Sequence, residues 1–133
     1  MNANQRFWVF WFVCIPVRLA IAVFTQLMPT CHGACKWIVP VPYLIIGLGF
    51  FKNACTGKEI GFFGGRAWWA SYRPVHGLLW FGAGILILGA HIFDETYVPA
   101  AVLLYLDVAF GIIVRIYHAR VSSIPAPPAP PAP

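Results

Sequence analysis

The sequence predicts an all-α membrane protein in which four transmembrane helices form two hairpins, followed by an extended proline-rich C-terminal tail. Three observations lead to this fold class. The chain is 60% hydrophobic and 10% charged, whereas a soluble domain carries about a quarter charged residues. Its apolar residues form four runs separated by turn-forming residues. Its cations also gather on one side of the predicted arrangement, as the positive-inside rule describes.

The first predicted helix covers residues 7–28 and is long enough to cross a hydrocarbon core of about 30 Å. The run exceeds the apolar segment of a signal peptide, and no clean small-x-small cleavage site follows it, so we expect a retained helix. Pro16 should kink it. Arg18 lies near its middle, where a charge needs a partner or a wet cavity.

The second apolar run, 37–51, is the shortest of the four and has Pro40 and Pro42 near its start. Two arrangements are compatible with this length. The segment crosses as a short helix in a thinned bilayer, or it re-enters without crossing.

The third and fourth predicted helices cover 75–93 and 98–117, and they complete a membrane domain over 1–121. Gly77 and Gly84 are seven residues apart, as are Gly82 and Gly89, which predicts a seam where another helix approaches closely. Between the hairpins lies a glycine-rich interfacial loop, 52–74, in which we expect a short amphipathic helix around 66–72. Residues 122–133 are rich in proline and alanine and should extend as polyproline II.

The distribution of cations predicts the topology. If all four segments cross, seven of the nine cations fall on the side of the termini and loop 52–74, which is then the cytoplasmic side. Lys36 alone lies on the other side, opposed by Asp94 and Glu95, while Arg18 lies within the membrane. The seven are Arg6, Lys52, Lys58, Arg66, Arg73, Arg115 and Arg120.

Arg18 and Asp107 are the two charges predicted to lie deepest in the membrane. Both fall roughly 15–18 Å from the exterior surface at 1.5 Å per residue, so they can meet if the first and fourth helices are neighbours. We expect an intramembrane ion pair that fixes helix packing. The alternative is a small transporter or channel subunit in which both residues line the pathway.

Cysteine and histidine supply a third hypothesis, a haem- or thiol-based membrane redox protein. Cys31 and Cys35 have three residues between them, which favours a structural disulfide, or a bond to another chain, over redox catalysis. His76 and His118 fall near the cytoplasmic ends of consecutive helices and could ligate a haem. A headgroup or hydrogen-bonding contact is the more ordinary role for such histidines, so we expect neither cofactor nor metal.

The cationic, aromatic loop predicts attachment rather than chemistry. The sequence has no phosphate-binding glycine loop, no nucleophile elbow and no His-Glu-x-x-His motif, so we expect no enzymatic activity. Its cations are scattered among apolar runs, which favours anionic lipid over nucleic acid as a partner. The predicted surface for lipid or partner contact is Arg66, Trp68, Trp69, Arg73 and His76.

Part of the chain, 61–114, resembles small multipass membrane proteins, including minor capsid proteins, of large icosahedral DNA viruses that infect algae and protists. The shared pattern is a tryptophan pair, an Arg-x-x-His at a helix start, and an apolar hairpin whose second helix carries Leu-Asp-Val. The Pro-Ala tail is similar to tails of chlorovirus-type proteins. The residues that carry the pattern are Trp68, Trp69, Arg73, His76, Leu106, Asp107 and Val108.

The resemblance implies a structural virion protein of the internal membrane that ties the bilayer and minor capsid proteins to the icosahedral shell. Loop 52–74 and the tail would then form the contact surface, because polyproline segments dock readily on aromatic grooves. Partners would be the bilayer and other capsid or membrane proteins, with self-association left open.

Overall fold

A computed structural model describes residues 3–28, 34–57, 69–93 and 97–122. Every regular element within these ranges is helical. Three helical segments are long and apolar enough to cross a membrane, namely Phe7–Leu27, Ala70–Ala90 and Val98–Val121. The predicted all-helical class is confirmed, and these three helices have the length and composition of membrane spans. A fourth apolar helix, Val41–Cys55, is shorter.

The first segment consists of α1 (Ala3–Val9), a π-helical turn (Phe10–Cys14) and α2 (Ile15–Leu27). Within the π turn the N–H of Ile15 bonds to the carbonyl of Phe10, five residues earlier. Pro16 follows directly and has no N–H to donate, so the helix must be irregular here. The kink expected at Pro16 is thus a π turn immediately before it.

The second apolar run forms a short helix α3 (Cys35–Ile38) and then α4 (Val41–Cys55). This helix is displaced towards the C-terminus from the predicted 37–51, because Pro40 and Pro42 fit its N-cap and first turn, where no N–H is required. It ends at Gly57, whose φ of 61° is the left-handed conformation that glycine adopts readily. The first residues assigned to loop 52–74 are therefore helical.

The second half of the described chain forms two long helices, α5 (Arg73–Phe93) and α6 (Val98–Ser122). A single 3₁₀ turn, Ala70–Tyr72, leads into α5. It is all that the structure describes of the amphipathic helix expected around 66–72. Helix α6 continues past the predicted end at 117, because no helix breaker occurs before Pro125.

The four main helices pack as an antiparallel bundle in the cyclic order α2, α4, α5, α6. Interfaces join α4 to α5, α5 to α6, and α6 to α2. A hydrogen bond of 2.7 Å between Thr25 and Tyr43 joins α2 to α4. The core combines large side chains with small ones, and the small ones include Ala22, Ala83, Ala90 and Ala100.

Glycines allow the closest approach in the bundle, between α4 and α5. Gly47 lies against the backbone of Phe81, and Gly84 lies against Leu44. Gly77 also faces α4, whereas Gly89 has open space around it. The seam expected from the glycine spacing therefore exists at Gly77 and Gly84.

Large apolar side chains cover the outside of the bundle. Phe24, Leu78 and Ile113 are more than half exposed, on three different helices. Such a surface is unsuited to water and matches the hydrocarbon of a bilayer.

We expect Gly47→Ala to destabilise the bundle by roughly 1–3 kcal/mol, because overpacking a tight contact forces the backbone to move. The added Cβ would lie 2.6 Å from the backbone nitrogen of Phe81. The measurement is the midpoint of unfolding in a denaturing detergent.

The matched control is Gly49→Ala on the same helix, where an added Cβ meets nothing within 4 Å. It should leave stability unchanged or raise it by up to about 1 kcal/mol, the difference in helix propensity. Equal effects of the two substitutions would contradict the packing described for α4 and α5.

Candidate functional site

A buried carboxylate lies at the centre of the bundle. Asp107 on α6 is fully buried, and its two oxygens lie within hydrogen-bond distance of three groups on α2 and α5. Arg18 Nη1 donates to Oδ2 at 2.9 Å, and Trp80 Nε1 donates to the same oxygen at 3.0 Å. His76 Nδ1 lies 2.5 Å from Oδ1. We call Arg18, His76, Trp80 and Asp107 the Asp107 cluster.

The ion pair with Arg18 indicates how the cluster is hydrogen-bonded. A carboxylate that is ionised in this pair only accepts hydrogen bonds, which makes His76 the donor when its Nδ1 carries the proton. Arg18 Nη1 lies 3.2 Å from that nitrogen, so the two donors stand side by side on the same carboxylate. Charge-assisted hydrogen bonds of this kind are stronger than neutral ones, and the low dielectric of the buried site strengthens them further.

Aromatic rings enclose the histidine. The ring of His76 packs against Phe50 of α4, Trp69 before α5 and Phe110 of α6, with centroids 5.4–6.2 Å apart. Arg18 lies over Phe50 at 5.9 Å. These rings bring α4 into contact with the cluster, so all four main helices meet here.

Ring stacking links the cluster to a hydrogen-bonded pair that joins α2 and α4. The ring of Trp80 stacks on Tyr43, whose hydroxyl lies 2.7 Å from Thr25 Oγ1. Thr25 in turn donates to the carbonyl of Ile21. Because an indole N–H is a donor only, Trp80 cannot pass a proton from Asp107 to Tyr43.

The core beyond Trp80 is largely apolar. Towards the Tyr97 end of the bundle it contains Ala83, Ile87, Ala90 and Leu104, and the buried pair Thr25 and Tyr43 adds two hydroxyl groups. Trp80 separates this pair from Asp107, since its indole N–H donates only to the carboxylate. The arrangement of the cluster can hold the helices together.

On its other side the cluster borders a cavity of about 50 Å³, which we call the π-turn cavity. Arg18 and His76 contribute polar groups to its wall, and the side chain of Arg18 is 21% exposed. The remaining lining residues are Phe10, Cys14, Trp69, Gly111 and Val114.

The structure brings some of the predicted site residues together. Arg18 and Asp107 form the ion pair at 2.9 Å. His76, which the sequence assigned to the contact surface, lies instead inside the bundle at 3% exposure, because the start of α5 turns it towards Asp107. Arg73 is also 3% exposed and lies over the ring of Trp69 at 5.0 Å.

Several predictions fall outside the described residues. These are the contact residues Arg66 and Trp68, the cysteine Cys31, and the tail from residue 123 onwards. Cys35 begins α3, but its side chain is not among those described. Groups of three or more His, Cys, Asp or Glu that could hold a metal ion do not occur in the described part of the chain.

Sequence reasoning missed His76 and Trp80 as partners of Asp107. A usable signal was present, since the two residues are four apart and therefore share one face of α5. Both are donors, and the facing helix carries a single intramembrane acid.

Comparison of the chain with protein-family models, curated proteins and solved structures finds no match in any of the three.

We expect Asp107→Asn to destabilise the bundle by about 3–5 kcal/mol, the usual effect of removing one partner from a buried ion pair. The substitution leaves the Arg18 guanidinium without a counter-charge. Detergent-unfolding midpoints of the purified variants measure the effect.

Tyr105→Phe serves as the control, since it deletes an exposed hydrogen bond of 2.7 Å to Gln26 between the same two helices. Hydrogen bonds between membrane helices contribute about 0.6 kcal/mol on average, so this variant should stay close to the wild type. A similar loss in both variants would mean that Asp107 has no special role in packing.

Proposed function

We propose that this chain is a non-enzymatic structural membrane protein whose Asp107 cluster fixes the relative positions of the helices. The observation that supports this most directly is the use of the carboxylate. Both oxygens of Asp107 are occupied by donors from α2 and α5. Both carboxylate oxygens of such a charge already accept hydrogen bonds from neighbouring helices. The charge therefore holds the helices together and is not available to bind an ion or a substrate.

We propose further that all four main helices cross the bilayer as two hairpins. Helix α4 has 15 residues and is about 22 Å long, which is short for a crossing. Two features nonetheless support a crossing by α4. Helix α3 precedes it and packs against both α4 and α5. Gly47 also holds α4 against the middle of α5, which is long enough to span.

The proposed setting is the internal membrane of a large icosahedral DNA virus, with the termini and loop 52–74 facing the capsid shell. Support comes from the resemblance and from the positions of its residues. Trp69, Arg73, His76 and Asp107 form one continuous set of contacts from the edge of the loop to the bundle centre. In this proposal, Trp69, Arg73 and His76 anchor the loop, and the remaining loop residues and the tail make the contacts with capsid or membrane partners.

A small transporter or channel subunit is the second candidate. The π-turn cavity favours it, since Arg18 and His76 reach its wall. The largely apolar core between Trp80 and Tyr97 disfavours it. A haem between His76 and His118 finds less support, because the cavity measures about 50 Å³ while cofactor-sized ligands occupy roughly 300–1,000 Å³.

Quantitative mass spectrometry on the native particle or membrane tests the structural role. We expect a fixed copy ratio of this chain to the major shell protein, and the ratio should survive mild detergent because protein contacts hold the chain in place. A low and variable ratio that disappears with the lipid would contradict the capsid proposal.

Proton flux in liposomes separates the two candidates. We expect vesicles with the wild-type chain to leak protons no faster than empty vesicles. Tyr105→Phe, which leaves the Asp107 cluster intact, is the matched control for Asp107→Asn. Flux that exceeds the empty vesicles and is lost only in Asp107→Asn would establish transport instead.

A further inference from the structure

The π-turn cavity borders the Asp107 cluster, and the packing of the cluster leaves it unused. It lies where the first helix is irregular, since Phe10 and Cys14 of the π turn form part of its wall. Such π turns occur frequently at functional sites. Gly111 forms the opposite wall, and an added Cβ there would approach no atom closer than 3.8 Å.

Arg18 has donors that the cluster does not use. Within the described residues, its hydrogen bonds to Asp107 and His76 both involve Nη1. The guanidinium also carries N–H groups on Nε and Nη2. The Arg18 side chain is 21% exposed and lines the cavity. Donors in a membrane segment need an acceptor, because hydrocarbon offers none.

The charge around the cavity favours an anion. Arg73 lies over Trp69, which lines the cavity, and Arg115 follows the lining residue Val114. Arg18 pairs with Asp107, which is the one acidic residue among those that the structure describes. Basic pockets between transmembrane helices on the cytoplasmic side are typical sites for anionic headgroups.

We propose that the π-turn cavity binds a phosphate anion, and that its source is the headgroup of an anionic phospholipid. The cavity has room for a group of that size, and Arg18 supplies the planar pair of donors that phosphate accepts. The apolar walls and the surrounding membrane segments favour a lipid over a soluble ion. This inference rests on the proposed function, because it requires the chain to be inserted in a membrane. It adds to that function a specific lipid ligand.

Native mass spectrometry of the full-length chain in a non-ionic detergent tests the proposal. Dioleoyl phosphatidylglycerol and dioleoyl phosphatidylcholine are added separately, and inorganic phosphate is added as a competitor. We expect about fivefold tighter binding of the anionic lipid, the factor expected for one favourable cation contact. Millimolar inorganic phosphate should not displace it.

Two leucine substitutions locate the site. Gly111→Leu fills the cavity and should lower binding of phosphatidylglycerol about fivefold, to the level of phosphatidylcholine. Gly89→Leu places the same side chain in another open position, on α5 outside the cavity, and should bind like the wild type. Circular dichroism and gel filtration verify that both variants fold.

Thiol protection provides a readout that needs no substitution. Cys14 lines the cavity, while Cys55 is exposed at the end of α4 and serves as the internal control. Phosphatidylglycerol should slow maleimide labelling of Cys14 about fivefold and leave Cys55 unchanged, as followed by peptide mass spectrometry.

Three outcomes would overturn the inference. The first is equal binding of the two lipids, and the second is an equal loss in Gly111→Leu and Gly89→Leu. The third is displacement by inorganic phosphate, which would assign the cavity to a soluble anion. The copy ratio in the native particle tests the proposed structural role separately. If that ratio is preserved while any of these outcomes is found, the lipid site is wrong and the structural role still holds.

Discussion

The structure depends on one buried charge, the carboxylate of Asp107. A charge in hydrocarbon is tolerated only with a partner, and here the partners come from two other helices. This requirement fixes the register of the bundle. A one-residue slip of α6 would rotate Asp107 by about 100° and turn the carboxylate away from Arg18, His76 and Trp80. Burial of the charge therefore selects one arrangement of α2, α5 and α6.

The opposite side of the bundle is held by shape rather than by charge. Helix α4 carries no acidic residue, and it meets α5 through Gly47 and Gly84. Inside a membrane, the hydrophobic effect does not drive helices together, so close packing has to do so. The Thr25–Tyr43 hydrogen bond and the ring of Phe50 link this half to the charged half. The two kinds of contact have different effects. The buried charge determines the register of α2, α5 and α6, whereas the glycines determine how closely α4 approaches α5.

The sequence predicts the helices well because membrane thickness dictates length and apolar composition directly. It also predicts that Arg18 and Asp107 lie at one depth, since depth follows from counting residues. Which side chains complete a site is harder to predict. His76 sits beside a cationic loop in the sequence, and only the rotation of α5 determines that it faces inwards. Similarly, Pro16 predicts an irregular helix, but the residue alone does not indicate that the irregularity is a π turn over Phe10–Cys14.

The same contacts connect the loop with the interior. Trp69 is the last loop residue before the 3₁₀ turn; its ring meets His76, and Arg73 lies over it. His76 in turn donates to the carboxylate on which the bundle depends. The end of the loop is thereby fixed to the most constrained part of the membrane domain. The proposed structural role requires a loop that keeps its position while partners bind it, and these contacts fix the end of the loop without any rearrangement of the helices.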